Sequence, residues 1–285
     1  MRAGIGGARN PARADRGRRG SNRWQDGTMT SISPKPTSQQ WLQLLDRLID
    51  LGVTLHRDTE IPITAKGAAD VPVICMAIAC RTVGHLKAIR EMVTAHQLIE
   101  ARILTRCCFE NLFFVAALVS KKDAFVEQMR DETMAQRKAR GQLIMQLTKG
   151  GGGANWAKTL QVYLARIEKR ALKRARMDPS HVAGLGPMEK SYIYYAQLSA
   201  DSSHPTLDAL GRYITRDDDG LMIDINPVRQ DKEFADTLAW ACEATIGTLV
   251  GVNEVVQGTV IVTALEQAMA DYHALESAAF PAKKP

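Results

Sequence analysis

Apolar positions recur at spacings of three and four along most of the chain and alternate over only one short stretch, so the pattern predicts an all-α protein. The first stripe is Trp41, Leu44, Leu45, Leu48, Ile49 and Val53, opening behind a Ser38 cap and ending near Arg57. Asp58 to Ala69, with Pro62 and Gly67, reads as a loop, and Asp70 with Pro72 just inside starts a second, mostly buried helix to about Val93. Gln97 to Leu118 follows almost without a gap, as a tight hairpin or a kinked continuation. From Lys121 to Lys149 the apolar stripe thins to Phe125, Met129, Ile144 and Leu147, which predicts a largely solvated helix. Gly150 to Gly153 is a flexible break, because a phosphate-binding loop needs a preceding strand and a Lys-Ser/Thr ending.

Asn155 to Arg176 is a helix that turns Trp156, Leu160, Tyr163, Leu164, Ile167 and Leu172 inward, with its basic end as a solvated face. After a loop from Asp178 to Pro187, Met188 to Ser199 is helical and aromatic, with Tyr192, Tyr195 and Ser199 on one side. A turn at Ala200 to His204 leads to a short helix from Pro205 to about Tyr213. The alternating stretch, Tyr213 to Ile225, reads as a hairpin around Asp217 and Gly220. The three adjacent aspartates lack the alternating ligands of a calcium loop. One long helix runs from about Arg229 to Ser277, bending at Gly258. The expected architecture is a single helical domain over residues 38–277, a multi-helix bundle with one small β-hairpin, between disordered tails at 1–37 and 278–285.

Within that frame Gln97 to Leu118 stands out. Arg102, Arg106 and Glu110 recur every fourth residue among Ile103, Leu104, Cys107, Cys108, Phe109, Leu112 and Phe113, so their charge is expected to be buried. A buried ion is tolerated only when paired and hydrogen-bonded, and losing its partner costs several kcal/mol. The best supply of partners is Tyr192 to Pro205, with Tyr195, Ser199 and His204.

Composition changes the picture little. The net charge of +6 in 285 residues comes mainly from residues 1–28, where seven arginines face Asp15 and Asp26, so the rest of the chain is near neutral. That tail is either a basic nucleic-acid arm or, with Met29 as the true start, no part of the expressed protein. Five cysteines, two of them adjacent, give no disulfide framework, and only Cys75 and Cys80 approach zinc-site spacing. The longest apolar run, Val71 to Cys80, is too short to span a bilayer, and no apolar segment follows Arg18-Arg19. The expectation is a cytoplasmic protein with no membrane partner.

The Arg-x-x-x-Arg-x-x-x-Glu helix at Arg102, Arg106 and Glu110, with the Tyr-x-x-x-Ser-x-x-x-x-His-Pro at Tyr195, Ser199, His204 and Pro205, resembles a bacterial all-helical family of unknown function. The resemblance spans roughly Trp41 to Tyr272. More distantly the layout is similar to the helical HEPN superfamily, many of whose members are ribonucleases of toxin and phage-defence systems. Their active sites carry an Arg and then a His, with four to six residues between them. This chain offers Arg174 or Arg176 before His181, and Arg90 before His96, the last being better placed.

Two functions follow. In the first, His204 exchanges protons, Glu110 orients it or acts as a base, and Arg106 completes the catalytic set. Arg102, Tyr195 and Ser199 would then hold an anionic ligand such as an RNA phosphodiester. One His and one Glu fall short of a metal's ligand count, and no cofactor motif is present, so neither a metal nor a cofactor is expected. In the second, the seam only stabilises the core of a helical interaction module. His56, His85 and His273 are expected to stand alone on helix faces, and a homo-oligomer is compatible with either function.

Overall fold

In a computed structural model the described residues are 36–148, 154–168, 177–202, 205–217, 220–224 and 230–279. Among them lie α1 (Ser38–Asp58), α2 (Val71–Thr94), α3 (Leu98–Lys121), α4 (Asp123–Leu147), α5 (Ala154–Glu168), α6 (Pro179–Ala183), α7 (Tyr192–Ser202) and α8 (Leu207–Gly211). The hairpin β1 (Ile214–Asp217) and β2 (Gly220–Ile223) comes next, then α9 (Asp231–Val256) and α10 (Val262–Ala279). The fold is all-α, with one antiparallel two-stranded hairpin in the register Ile214 opposite Ile223. Residues 1–35 and 280–285, the four-glycine break, the basic end at 169–176 and two of the three aspartates lie outside the described residues, while Thr37 is ordered as a helix cap and α10 runs two residues past the expected end at Ser277.

The core forms around α3, which packs on α2, α9, α7 and α6. Its apolar residues point in nearly every direction: Phe109, Leu112, Phe113, Val115 and Leu118 are all buried. A helix apolar all round is stable only when other helices cover each side. Close approach is set by small residues. A Cβ on Gly251 of α9 would lie 2.5 Å from Val115, and one on Gly186, in the loop after α6, would lie 2.8 Å from the backbone of Ala116. By length and composition alone α2 and α3 are each long and apolar enough to cross a membrane, although no uninterrupted apolar run is; here both pack within the bundle.

Several boundaries differ from expectation, each for a local reason. Thr37, not Ser38, caps α1. Its hydroxyl accepts from the Gln40 N–H, and the Gln40 side chain accepts from the Thr37 N–H, a reciprocal box that needs Gln three residues after the cap. Val53 is exposed, and Gly52 and Leu55 are the buried residues at that end of α1. Asp70 opens α2 without capping it, because its carboxylate accepts from the Thr64 N–H and hydroxyl and so ties down the preceding loop. Between α2 and α3 the chain turns sharply, with His96 at φ 59°. The expected loop before Met188 contains the one-turn α6, and α7 continues past Ser199 to Ser202. The short helix after it begins at Leu207 because Thr206, not Pro205, supplies the cap, accepting from the Ala209 N–H at 3.1 Å.

The α4–α5 arm buries less than its stripe implies. Phe125 is buried, but Ile144, Leu147, Trp156 and Tyr163 are exposed, since α5 packs chiefly on α4, through Leu160 and Leu164 at Gly141. The expected long C-terminal helix is two helices rather than one that bends. Gln257 (φ 59°) and Gly258 (φ 63°) are consecutive left-handed residues, which no helix can absorb, and α10 then packs on α1 and α9.

Candidate functional site

α7 is held on α3 by aromatic packing, and that packing aims its polar side chains. Tyr195 sits edge-on to Phe113 with centroids 6.0 Å apart and stacks on Tyr192 at 5.5 Å, while Tyr194 lies against Phe109. Tyr195 and Ser199, one helical turn apart, therefore meet the Arg106 and Glu110 turn of α3.

The contacts form a closed set. Arg106 donates from Nε to Ser199 Oγ at 3.1 Å and from Nη2 to the Tyr195 hydroxyl at 2.9 Å, and Nη2 also pairs with Glu110 Oε1 at 3.0 Å. The Tyr195 hydroxyl donates to the same Glu110 oxygen at 3.1 Å, and Ser199 Oγ donates to the Tyr195 carbonyl at 2.8 Å. The Arg106 guanidinium lies 5.1 Å from the centroid of the Tyr195 ring. This is a half-open seam rather than a sealed core pair, because the Arg106 and Glu110 side chains keep 23% and 29% of their exposure. Burial, together with the charge of Glu110, raises the Tyr195 phenol against the opposing pull of Arg106, so Tyr195 stays protonated and acts as Glu110's donor.

Not every residue expected at the seam joins it. Arg102 is buried, with its guanidinium 5.4 Å from the Trp240 ring and Nη1 3.5 Å from Thr237 Oγ1, both on α9. Residues four apart drift by roughly 40° around a helix, so the stack of three that the spacing suggested opens into two directions over two turns. His204 lies outside the described residues. The Arg–His pairs fare poorly as sites. Arg90 donates to Asp46 at 2.7 Å while His96 packs edge-on to Phe234; His181 is exposed, and Arg174 and Arg176 are not described.

A different histidine borders the seam. On α2, Arg81 donates from Nε to His85 Nε2 at 3.3 Å, so His85 does not stand alone on its helix face. Burial and then Arg81 lower its proton affinity, and the field of Glu110 works in the opposite direction. Cys107 lies in the same fields: burial chiefly, and then Glu110, raise its thiol, while Arg106 and Arg81 pull it down. The signal was present in the sequence as an Arg and a His one helical turn apart, on a helix expected to pair with the Arg106 helix. The neighbourhood thus holds two arginines, a neutral imidazole and one carboxylate, which can bind an anion and move a proton. Among the described residues no group of three or more His, Cys, Asp or Glu side chains is placed to hold a metal.

No curated protein and no solved structure matches the chain. A family model matches residues 73–221, more than half of the chain and inclusive of every residue of this seam, and the protein belongs to that family, a family of unknown function (DUF5677).

Proposed function

We propose that the seam between α2, α3 and α7 binds a phosphate-bearing ligand and that the protein is an RNA-cleaving enzyme of the HEPN-like kind, working without a metal. The observation that carries this reading is the meeting of Arg106, Glu110, Tyr195 and Ser199 at a half-open surface beside Arg81 and His85. Two guanidinium groups supply the charge that a phosphodiester and its transition state need. When a phosphate draws Arg81 off its Nε2, neutral His85 takes the proton of the 2′-hydroxyl as that oxygen bonds to phosphorus and the P–O5′ bond breaks; the departing 5′-oxygen takes a proton from water, and Tyr195 keeps Glu110 oriented. His204 is the other histidine for the same role.

The test is incubation of the full chain with a labelled single-stranded RNA in excess chelator. Cleavage is expected, and Arg106→Ala and either His85→Ala or His204→Ala should lower its rate by about a hundredfold or more while the helical circular dichroism persists. RNA left intact by a folded, pure protein overturns the enzyme reading.

One observation favours a second reading, a non-catalytic interaction module. Nε and Nη2 of Arg106 are already engaged by Ser199, Tyr195 and Glu110, as in a clasp fastening α7 to α3. In that case Glu110→Ala leaves a half-buried guanidinium uncompensated and lowers stability by about 3 kcal/mol, with no activity to lose.

A further inference from the structure

The α4–α5 arm segregates its charge. From Asp123 to Glu132 the sequence has four acids and one arginine, whereas from Thr133 to Ile167 it has six Lys and Arg residues and no acid. The distal half of α4 and all but the last residue of α5 therefore form a purely basic end. Arg137, Arg140, Lys158 and Arg166 are exposed there, and none of the four pairs with a carboxylate among the described residues. Lys138 alone is paired, with Glu168 at 3.1 Å.

Two contacts fix how the helices face each other. Gly141 meets Leu160 and Leu164, while Lys138, three residues earlier, reaches forward to Glu168, so α4 and α5 run antiparallel. Arg137, Arg140, Ile144 and Leu147 follow one another at spacings of three, four and three, and so do Trp156, Thr159, Tyr163 and Arg166; each set is one helical stripe. Ile144 lies three residues beyond Gly141, and Tyr163 three beyond Leu160. In antiparallel neighbours equal steps from the contact turn toward a common face, so the two stripes form one surface. Leu147 lies level with Trp156 near the tip, and Arg137 lies level with Arg166 about 15 Å back along the helices. The apolar members are open to solvent: Leu147 is 77% exposed, and Ile144, Trp156 and Tyr163 are exposed as well.

Charge and apolar area occur here together, and that pairing narrows the partner. A nucleic acid takes the arginines and the rings but leaves Ile144 and Leu147 in water, and an uncharged apolar partner strands the arginines. A protein partner also has to match the shape of the face, which a fluid bilayer does not. A bilayer containing anionic lipids satisfies every member: aliphatic side chains enter the acyl boundary, Trp and Tyr settle at headgroup level, and arginines meet lipid phosphates. The acidic first turns of α4, which such a surface repels, lie at the other end of that helix.

We infer that this face of the α4–α5 arm docks peripherally on an anionic lipid bilayer, with Leu147 and Trp156 at the acyl boundary and Arg137, Arg140 and Arg166 on headgroup phosphates. The contact needs no spanning helix, so the short apolar runs that argued against a membrane partner do not bear on it.

The experiment is flotation of the full chain with vesicles of equimolar phosphatidylglycerol and phosphatidylcholine, and with vesicles of phosphatidylcholine alone. Binding to the anionic vesicles and not to the neutral ones is expected, weakening as salt is raised. Residues 1–28 are also basic, so variants of the arm decide which segment is responsible. Arg140→Gln with Arg166→Gln should weaken binding by about tenfold or more, and Ile144→Ser with Leu147→Ser by a similar factor. Helical circular dichroism should persist in both, because all four side chains are exposed. Brominated acyl chains should quench tryptophan emission in the parent and much less in Trp156→Phe. Undiminished vesicle binding in either double variant, equal quenching in Trp156→Phe, or no binding to anionic vesicles would overturn the assignment. So would polyuridylate that displaces the vesicles with an affinity indifferent to Ile144 and Leu147, since the face would then be a nucleic-acid surface. None of these readouts depends on RNA cleavage at the seam.

Discussion

At the scale of single residues, Glu243 shows how burial converts into a pH dependence. Its folded carboxyl holds a proton more tightly than the unfolded chain does, because desolvation and then Glu276 disfavour the charged form. Between the unfolded and folded pKa values the native state therefore binds more protons, so this residue's contribution is fully present below the unfolded pKa and is lost as pH rises through the folded one. At neutral pH the charge costs stability. Glu243→Gln keeps a group that can hydrogen-bond Ser191 and Tyr272, whose hydroxyls donate to Glu243, and it should melt above the parent at pH 7, with the gap closing as pH falls toward the ordinary glutamate range. A variant that melts lower at pH 7 would mean that Glu243 already has a cationic partner. The same residue scale explains what could and could not be foreseen. Arg106, Glu110, Tyr195 and Ser199 were legible because helical spacing and the need to pair buried charge point the same way. Arg102 was misjudged by the slow rotation of an every-fourth-residue row, and Glu243 was hidden among ordinary surface glutamates of a long helix.

Helices and their ends obey simple rules in this bundle, and the glycines show which rule wins at each place. Gly84 lies in the middle of α2, exposed, with open space where a Cβ would go. Gly84→Ala should stabilise the protein by about 0.5–1 kcal/mol, because alanine loses less backbone entropy in a helix. Gly186 is the opposite case. A Cβ there would meet the backbone carbon and oxygen of Ala116 at 2.8 and 2.9 Å, and the helical backbone of α3 cannot move aside as a side-chain tip can. Gly186→Ala should cost about 1–3 kcal/mol, read as a lower midpoint in urea with an unchanged slope. Most element boundaries were readable from apolar period and from proline. The errors fell where a single tertiary or capping contact decides. The box between Thr37 and Gln40 moved a cap by one residue, and two left-handed residues at Gln257 and Gly258 cut one expected helix into two. The exposed stripe on α5 has a different cause: periodicity predicts which face is apolar, not whether a partner covers it.

For the molecule as a whole, the bundle grades its five cysteines by depth. Cys75, Cys108 and Cys242 are buried among α1, α2, α3 and α9; Cys107 is half-buried at the seam and Cys80 is exposed. All five are free thiols. Burial pushes the Cys75 thiol up to about 12, and pushes Cys108 and Cys242 higher still, so none of the three offers thiolate near neutral pH. Access and acidity then act together. Under native conditions near pH 8 a charged disulfide reagent should modify Cys80 quickly and Cys107 slowly, and reach Cys75, Cys108 and Cys242 only at the rate of global unfolding. Peptide mass mapping against time gives the order. Cys107 adds a link to the seam, since its thiol sits in the fields of Arg106 and Glu110. Replacing Arg106 with alanine removes a cation that favours the thiolate, so Cys107 labelling in Arg106→Ala should slow at fixed pH while Cys80 labelling is unchanged. If instead Cys107 labels faster in that variant, α7 has come away from α3. That outcome favours Arg106 as the clasp that keeps the two helices together, because a guanidinium serving mainly to receive a ligand could be lost without opening the bundle.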